Sequence, residues 1–156
     1  MRITLLVVGK TTDVHIEALI HEYHKRLTHY VPFVLQVIPE LKNTKSLTVN
    51  QQKEAEGELI LRAITSSTDL VLLDEHGKDF RSIEFAEYIQ KKMSSGRDVV
   101  FVVGGPYGFS EAVYRRANGK ISLSKMTFSH QMVRLFFIEQ MYRAMTILRG
   151  EPYHHE

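Results

Sequence analysis

Five consecutive apolar residues, Val99-Val100-Phe101-Val102-Val103, run directly into Gly104-Gly105-Pro106-Tyr107-Gly108. A short run of this composition reads as a strand buried on both faces, the habit of parallel sheets covered by helices. In open α/β sheets ligands bind beyond the carboxyl ends of strands. Glycines at such an end remove side chains, so backbone can approach a ligand closely. The glycine cluster is therefore either a tight turn or one wall of a site, and the stretch alone supports both. Either way, the chain must supply cover for both faces of that strand.

The rest of the chain supplies it by alternation. Residues 3–8 form a first apolar run, ended by Gly9, and Thr12 and Asp13 can cap a following helix. Ile16, Leu19, Ile20, Tyr23 and Leu27 then fall on one helical face, with Glu22 and Arg26 as an i,i+4 pair on the other. Residues 33–38 read as a second strand, and the polar stretch after it as a loop. Thr48 and Gln51 are spaced as a capping box for a helix reaching about Ile64. A third strand spans 69–74, and Glu75-His76-Gly77-Lys78 leaves it. Ser82 can cap a helix with Phe85, Ile89 and Met93 on its inner face. After the central strand, Ser110 can cap a short helix stopped by Asn118-Gly119, residues 121–123 make a brief fifth strand, and a last helix runs over 129–148. Strands alternating with helices predict an α/β layered fold with a mostly parallel sheet, in a single domain over residues 1–156.

The totals exclude several chemistries. There is no cysteine among the 156 residues, hence no disulfide, thiolate nucleophile or cysteine-based zinc site. No apolar stretch is long enough to span a membrane and no secretory signal opens the chain, so a cytoplasmic location is expected. A net charge of +2 permits a nucleic-acid partner without requiring one. No G-x-x-x-x-G-K-[ST] or helix-opening G-x-G-x-x-G is present, which weighs against a P-loop or dinucleotide site. His21 and His24 lie a turn apart without a third ligand, so no metal site is expected. They read as part of a solvated helix face. His130, at the start of the last helix, could be structural or face a ligand.

The last helix is apolar on more than one face, from Met132 to Leu148. Such a helix is buried on several sides; one face against the sheet does not account for all of it, so a subunit interface, most simply a two-fold dimer, is expected, with a central helix in a lone chain as the alternative. Its arginines Arg134 and Arg143 must be paired or bound to phosphate, because an unpaired buried arginine is costly. Glu139 and Arg143 are spaced as an ion pair. Beyond it, Tyr153, His154 and His155 could stack on a base and exchange protons with it.

LDEHGK at 73–78, FVVGGPYGF at 101–109, SLSKMTFSHQMVRL at 122–135 and PYH at 152–154 resemble the SPOUT-class methyltransferases, and among them the ribosomal large-subunit methyltransferase H family. The resemblance covers essentially the whole chain. It implies an α/β domain closed by a C-terminal deep trefoil knot, a feature otherwise almost absent from proteins. It also implies a homodimer that binds S-adenosyl-L-methionine in the knot and methylates N3 of a pseudouridine in large-subunit ribosomal RNA on the assembled ribosome. Carried over residue by residue, the cofactor pocket comprises Leu73, Gly104, Leu123, Ser124, Lys125, Met126, Thr127 and Phe128. Tyr153, His154 and Arg143 are the catalytic candidates: the Tyr153–His154 pair helps remove the N3 proton, while Arg143 and Arg134 hold RNA phosphate or the partner subunit. The family usually has proline where this chain has Ser129, a residue able to cap the helix. Two other readings share these residues: a knotted RNA-binding dimer without catalysis, and a SPOUT enzyme acting on transfer RNA.

Overall fold

In the computed structural model, which describes residues 1–155, strands and helices alternate as β1 (Ile3–Val8), α1 (Val14–Leu27), β2 (Phe33–Ile38), α2 (Val49–Arg62), β3 (Asp69–Asp79), α3 (Ser82–Ser94), β4 (Val99–Val103), α4 (Glu111–Arg116), β5 (Gly119–Ser122) and α5 (His130–Leu148). The strands form one sheet in the order β2-β1-β4-β3-β5, with every neighbouring pair parallel. The valine run, β4, is buried at all five positions between β1 and β3. By contrast β2 is an edge strand that leaves Val34 and Val37 exposed.

Side-chain alternation sorts the strand residues onto two faces. Leu5, Val7, Val71, Phe101 and Val103 join Ile20, Leu27, Phe85, Ile89, Phe137, Ile138 and Met141 in one core, beneath α1, α3 and α5. Leu6, Leu70, Leu72, Val100 and Val102 meet Ile60 and Val113 in the other, beneath α2 and α4. Because α4 and α5 lie on opposite faces, the chain changes face after β5, over residues 123–129.

Caps explain where the helices begin. Asp13 accepts from the amides of His15 and Ile16, Ser110 from Val113, and Ser129 from Met132. Thr48 and Gln51 form the expected reciprocal box. Ser82 does not cap α3: the N-cap is Arg81, whose amide donates to Glu84, and the Ser82 hydroxyl instead donates to Gln140 of α5 at 3.0 Å.

The apolar excess of α5 has a mostly intramolecular cause. The helix lies against the sheet between α1 and α3, which buries Leu135, Phe137, Ile138, Met141, Ala144 and Met145 within one chain. Beside that buried face, Val133 and Gln140 stay half-buried, Gln140 being held by Ser82 of α3, and Phe136 is exposed. His24 departs from the expected solvated face, since its Nε2 lies 3.3 Å from the Phe33 carbonyl oxygen and its ring meets Phe33 edge-on. No helix among the described residues is long and apolar enough to cross a membrane.

Arg134 corrects a sequence-based expectation. It is 2% exposed, so it meets neither phosphate nor a partner subunit. Its guanidinium donates to the Gly9 and Val8 carbonyls, both at 2.9 Å, and to the Thr11 hydroxyl at 3.1 Å. These are carbonyls at the end of β1 that no neighbouring strand residue satisfies, so the arginine finishes the strand as a cap finishes a helix.

Candidate active site

β3 outlasts its predicted end. Leu73 pairs with Ile121 of β5, the chain bulges outward over residues 74–77, and Lys78 pairs with Ile121 again. The bulge depends on Gly77. A Cβ there would stand 2.6 Å from the backbone carbon and nitrogen of Ile121, atoms that cannot move aside. Gly77→Ala should therefore cost roughly 2 kcal/mol or more of stability, read as a lower urea midpoint. A variant of unchanged midpoint would refute this account of the bulge.

The bulge, the loop after β4 and the segment after β5 enclose a cleft of about 480 Å³ at the carboxyl ends of the strands. Leu73, Asp74, Glu75 and His76 line one side, and Gly104, Gly105, Pro106, Tyr107, Gly108 and Phe109 a second. Ser122, Leu123, Ser124, Met126, Thr127 and Phe128 form the third, with His130 and Val133 from the first turn of α5 at its foot. Of the sequence-predicted pocket, Leu73, Gly104, Leu123, Ser124, Met126, Thr127 and Phe128 are thus brought together. Lys125 is not. Its side chain is 87% exposed and reaches only Asp79, at 3.9 Å.

The glycines after β4 have a reason other than ligand approach. A Cβ on Gly104 would come within 3.1 Å of the Phe109 ring, and one on Gly105 within 2.3 Å of a Glu56 carboxylate oxygen. Their missing side chains make room for protein behind the loop. Gly57, next to Glu56, abuts Ser110 in the same way. Thus α2 supports the loop, and burial pushes the Glu56 carboxyl above its ordinary range. Gly108 is required by its φ of +83°.

The C-terminal candidates lie elsewhere. Arg143 donates to Glu139 at 2.6 Å and to His154 Nδ1 at 3.1 Å, and its guanidinium sits 4.8 Å from the centre of the Tyr153 ring. Tyr153 donates to Glu139 at 2.9 Å and packs edge-on against Tyr142. None of the three lines the cleft of its own chain. Arg143 lies 13 residues beyond His130 along α5, about 20 Å at helical rise. Asp74, Glu75, His76 and His130 do line the cleft but were not among the predicted pocket residues, and only the Leu73–Lys78 motif hinted at the first three.

The family model described as "Predicted SPOUT methyltransferase" matches residues 1–154. The chain belongs to the SPOUT methyltransferase family. Among SPOUT relatives, the ribosomal RNA large subunit methyltransferase H of Parabacteroides distasonis is 62% identical and that of Bacteroides thetaiotaomicron 61%, each over the full length of both chains. The protein of the same name from Christiangramia forsetii is 62% identical over 99% of each. SPOUT membership implies the C-terminal knot expected from the sequence.

SPOUT membership implies S-adenosylmethionine, and the cleft suits it. Its volume falls in the range of small-molecule sites. Leu73, Leu123 and Phe128 give apolar walls, and strand-end backbone gives polar edges. No cluster of three or more His, Asp or Glu residues arranged for a metal occurs among the described residues.

Proposed function

We propose that this chain is a homodimeric methyltransferase that carries the methyl group of S-adenosylmethionine to N3 of a pseudouridine in large-subunit ribosomal RNA. It acts on the assembled ribosome, in the cytoplasm, as a single domain over residues 1–156. The observation that carries the reading is the convergence of Leu73, Gly104, Leu123, Ser124, Met126, Thr127 and Phe128 on one cleft, in a chain 61–62% identical to enzymes named for this class of substrate. The cleft is open rather than filled by side chains, which favours a catalyst over an RNA-binding dimer without catalysis.

The cofactor supplies an activated methyl on a sulfonium, so the protein's work is to orient it and to assist loss of the N3 proton. Backbone of the three strand-end segments would hold the adenine edge, with Leu73 and Leu123 as apolar walls. Arg143, Tyr153 and His154 act on the RNA side. Because Arg143 lies far along α5, Tyr153 and His154 pack beside it, and none of the three lines their own chain's cleft, we assign them to the cleft of the second subunit. The apolar stripe at Phe136, beside the groove formed by Phe80, Phe85, Leu123, Phe128 and Gln140, supplies the contact.

The hydrogen bonds bear on the roles. Arg143 always donates, so neutral His154 has an accepting Nδ1 and carries its proton on Nε2. Burial, reinforced by the bonds to Tyr23 and Glu139, holds the Tyr153 pKa well above the ordinary tyrosine value, so its hydroxyl stays a donor. This arrangement favours both as groups that position and polarise the base. His154 becomes a proton acceptor only if it leaves Arg143. Full methylation by His154→Ala across about pH 6–9 would dismiss the base role.

The deciding experiment is transfer of labelled methyl from S-adenosylmethionine to ribosomes of a strain lacking the gene, with the product nucleoside identified by mass spectrometry. Label on N3-methylpseudouridine of the large-subunit RNA is expected. Label confined to transfer RNA, or no binding of cofactor at millimolar concentration, would refute the proposal.

A further inference from the structure

Asp74 lines the cleft and has no part in the roles assigned above. Its carboxylate borders both the cleft and a shallow basin that Tyr114, Asn118 and Lys120 help to form. The bulge that carries it is fixed from below by Gly77 against the backbone of Ile121. The side chain is held at both oxygens: Oδ1 accepts from the His76 amide at 2.8 Å, and Oδ2 accepts from the Tyr114 hydroxyl. Neither donor gives up its proton near neutrality, since one is an amide and burial and Asp74 itself push the Tyr114 hydroxyl up to about 12. Burial works against the Asp74 charge, but the two hydrogen bonds, with help from His76 and Lys120, outweigh it and hold the carboxyl below its ordinary range. A fixed negative charge is thereby built into the wall beside Leu73.

A fixed charge selects among occupants of similar shape but different charge. On the cofactor assignment made above, the cleft meets two such occupants in every cycle. During transfer the N3 proton passes to water, the electron pair left on N3 forms a bond to the methyl carbon, and the sulfur–methyl bond breaks with its electron pair staying on sulfur. The sulfonium becomes a neutral thioether, so S-adenosylhomocysteine differs from the methyl donor by one methyl and one positive charge. Leu73 and Leu123 are indifferent to that charge, whereas a carboxylate is not. We propose that Asp74 faces the sulfonium end of the bound cofactor and gives the cleft its preference for the methyl donor over the demethylated product. Transfer then weakens the product's own hold on the site.

Calorimetric titration of the full chain with three ligands tests this: S-adenosylmethionine, S-adenosylhomocysteine, and an analogue in which an amine-bearing carbon replaces the methylated sulfur. Asp74→Asn suits the loop, because its oxygen can accept from His76 while its amide donates to the Tyr114 oxygen. It should weaken the two cationic ligands by about tenfold and leave the thioether within about twofold. Tyr114→Phe keeps the charge but frees it, and should shift the same ratio in the same direction by less. An equal loss for all three ligands, or an unchanged ratio, would overturn the proposal. If the unaltered chain binds none of them, the cofactor assignment itself fails and takes this inference with it.

Discussion

Replacing His154 by alanine is expected to slow methyl transfer by roughly 10²–10³-fold while leaving S-adenosylmethionine affinity within about a factor of two. The separation follows from geometry: the ring is bonded to Arg143 and is not among the residues lining the cleft of its own chain. The same geometry predicts complementation. A chain altered at His154 keeps a sound cleft, and a chain altered at Leu123 by a charged residue keeps a sound tail. Mixed after denaturation and refolding, the two inactive proteins should recover about one quarter of wild-type activity, because about half the dimers are mixed and each holds one intact site. Recovery near zero would place the tail in its own chain's site and require a large movement of residues 149–155.

Replacing Arg134 by methionine is expected to lower stability by about 3–5 kcal/mol, the largest effect of any single change considered. Methionine fills much of the space but offers no donors to the Gly9 and Val8 carbonyls at the end of β1. Each carbonyl left buried and unbonded costs about 1–3 kcal/mol. Arg134→Lys should recover part of the loss, since a single ammonium cannot reach both carbonyls and Thr11 as the planar fork does. Urea denaturation followed by circular dichroism measures both variants. A loss below about 1 kcal/mol in the methionine variant would show that water replaces the arginine. Cofactor affinity should fall as well, because Arg134 anchors the first turns of α5, which carry His130 and Val133 at the foot of the cleft.

The sequence disclosed much of this design, and physical reasons separate what it disclosed from what it hid. β1, β2 and β4 begin and end where the apolar runs do, because a run closed by glycine or proline leaves little freedom of boundary. The caps at Asp13, Thr48, Ser110 and Ser129 were readable because each is a local bond between a side chain and an amide three residues or fewer away. Non-local roles were hidden. Nothing near Arg134 in sequence tells that it ends a strand more than 120 residues earlier. Nothing near Gly105 tells that Glu56 of α2 fills the place of its side chain. The bulge in β3 was missed because its cause, the Ile121 backbone, belongs to a strand formed 40 residues later. Most residues lining the cleft came from ordered motifs, and the separation of the tail from that cleft could not be read from them.

The bond between Arg134 and the end of β1 also has a meaning in time. A ribosome making this chain releases β1 first, and the carbonyls of Val8 and Gly9 then wait for a guanidinium that is synthesised only after every other strand. The third wall of the cleft, residues 122–128, emerges just before it. An incomplete chain therefore has neither a finished first strand nor a closed cleft. Ligand recognition arrives together with the last long helix, so an enzyme abandoned partway through synthesis has no means of sequestering a methyl donor.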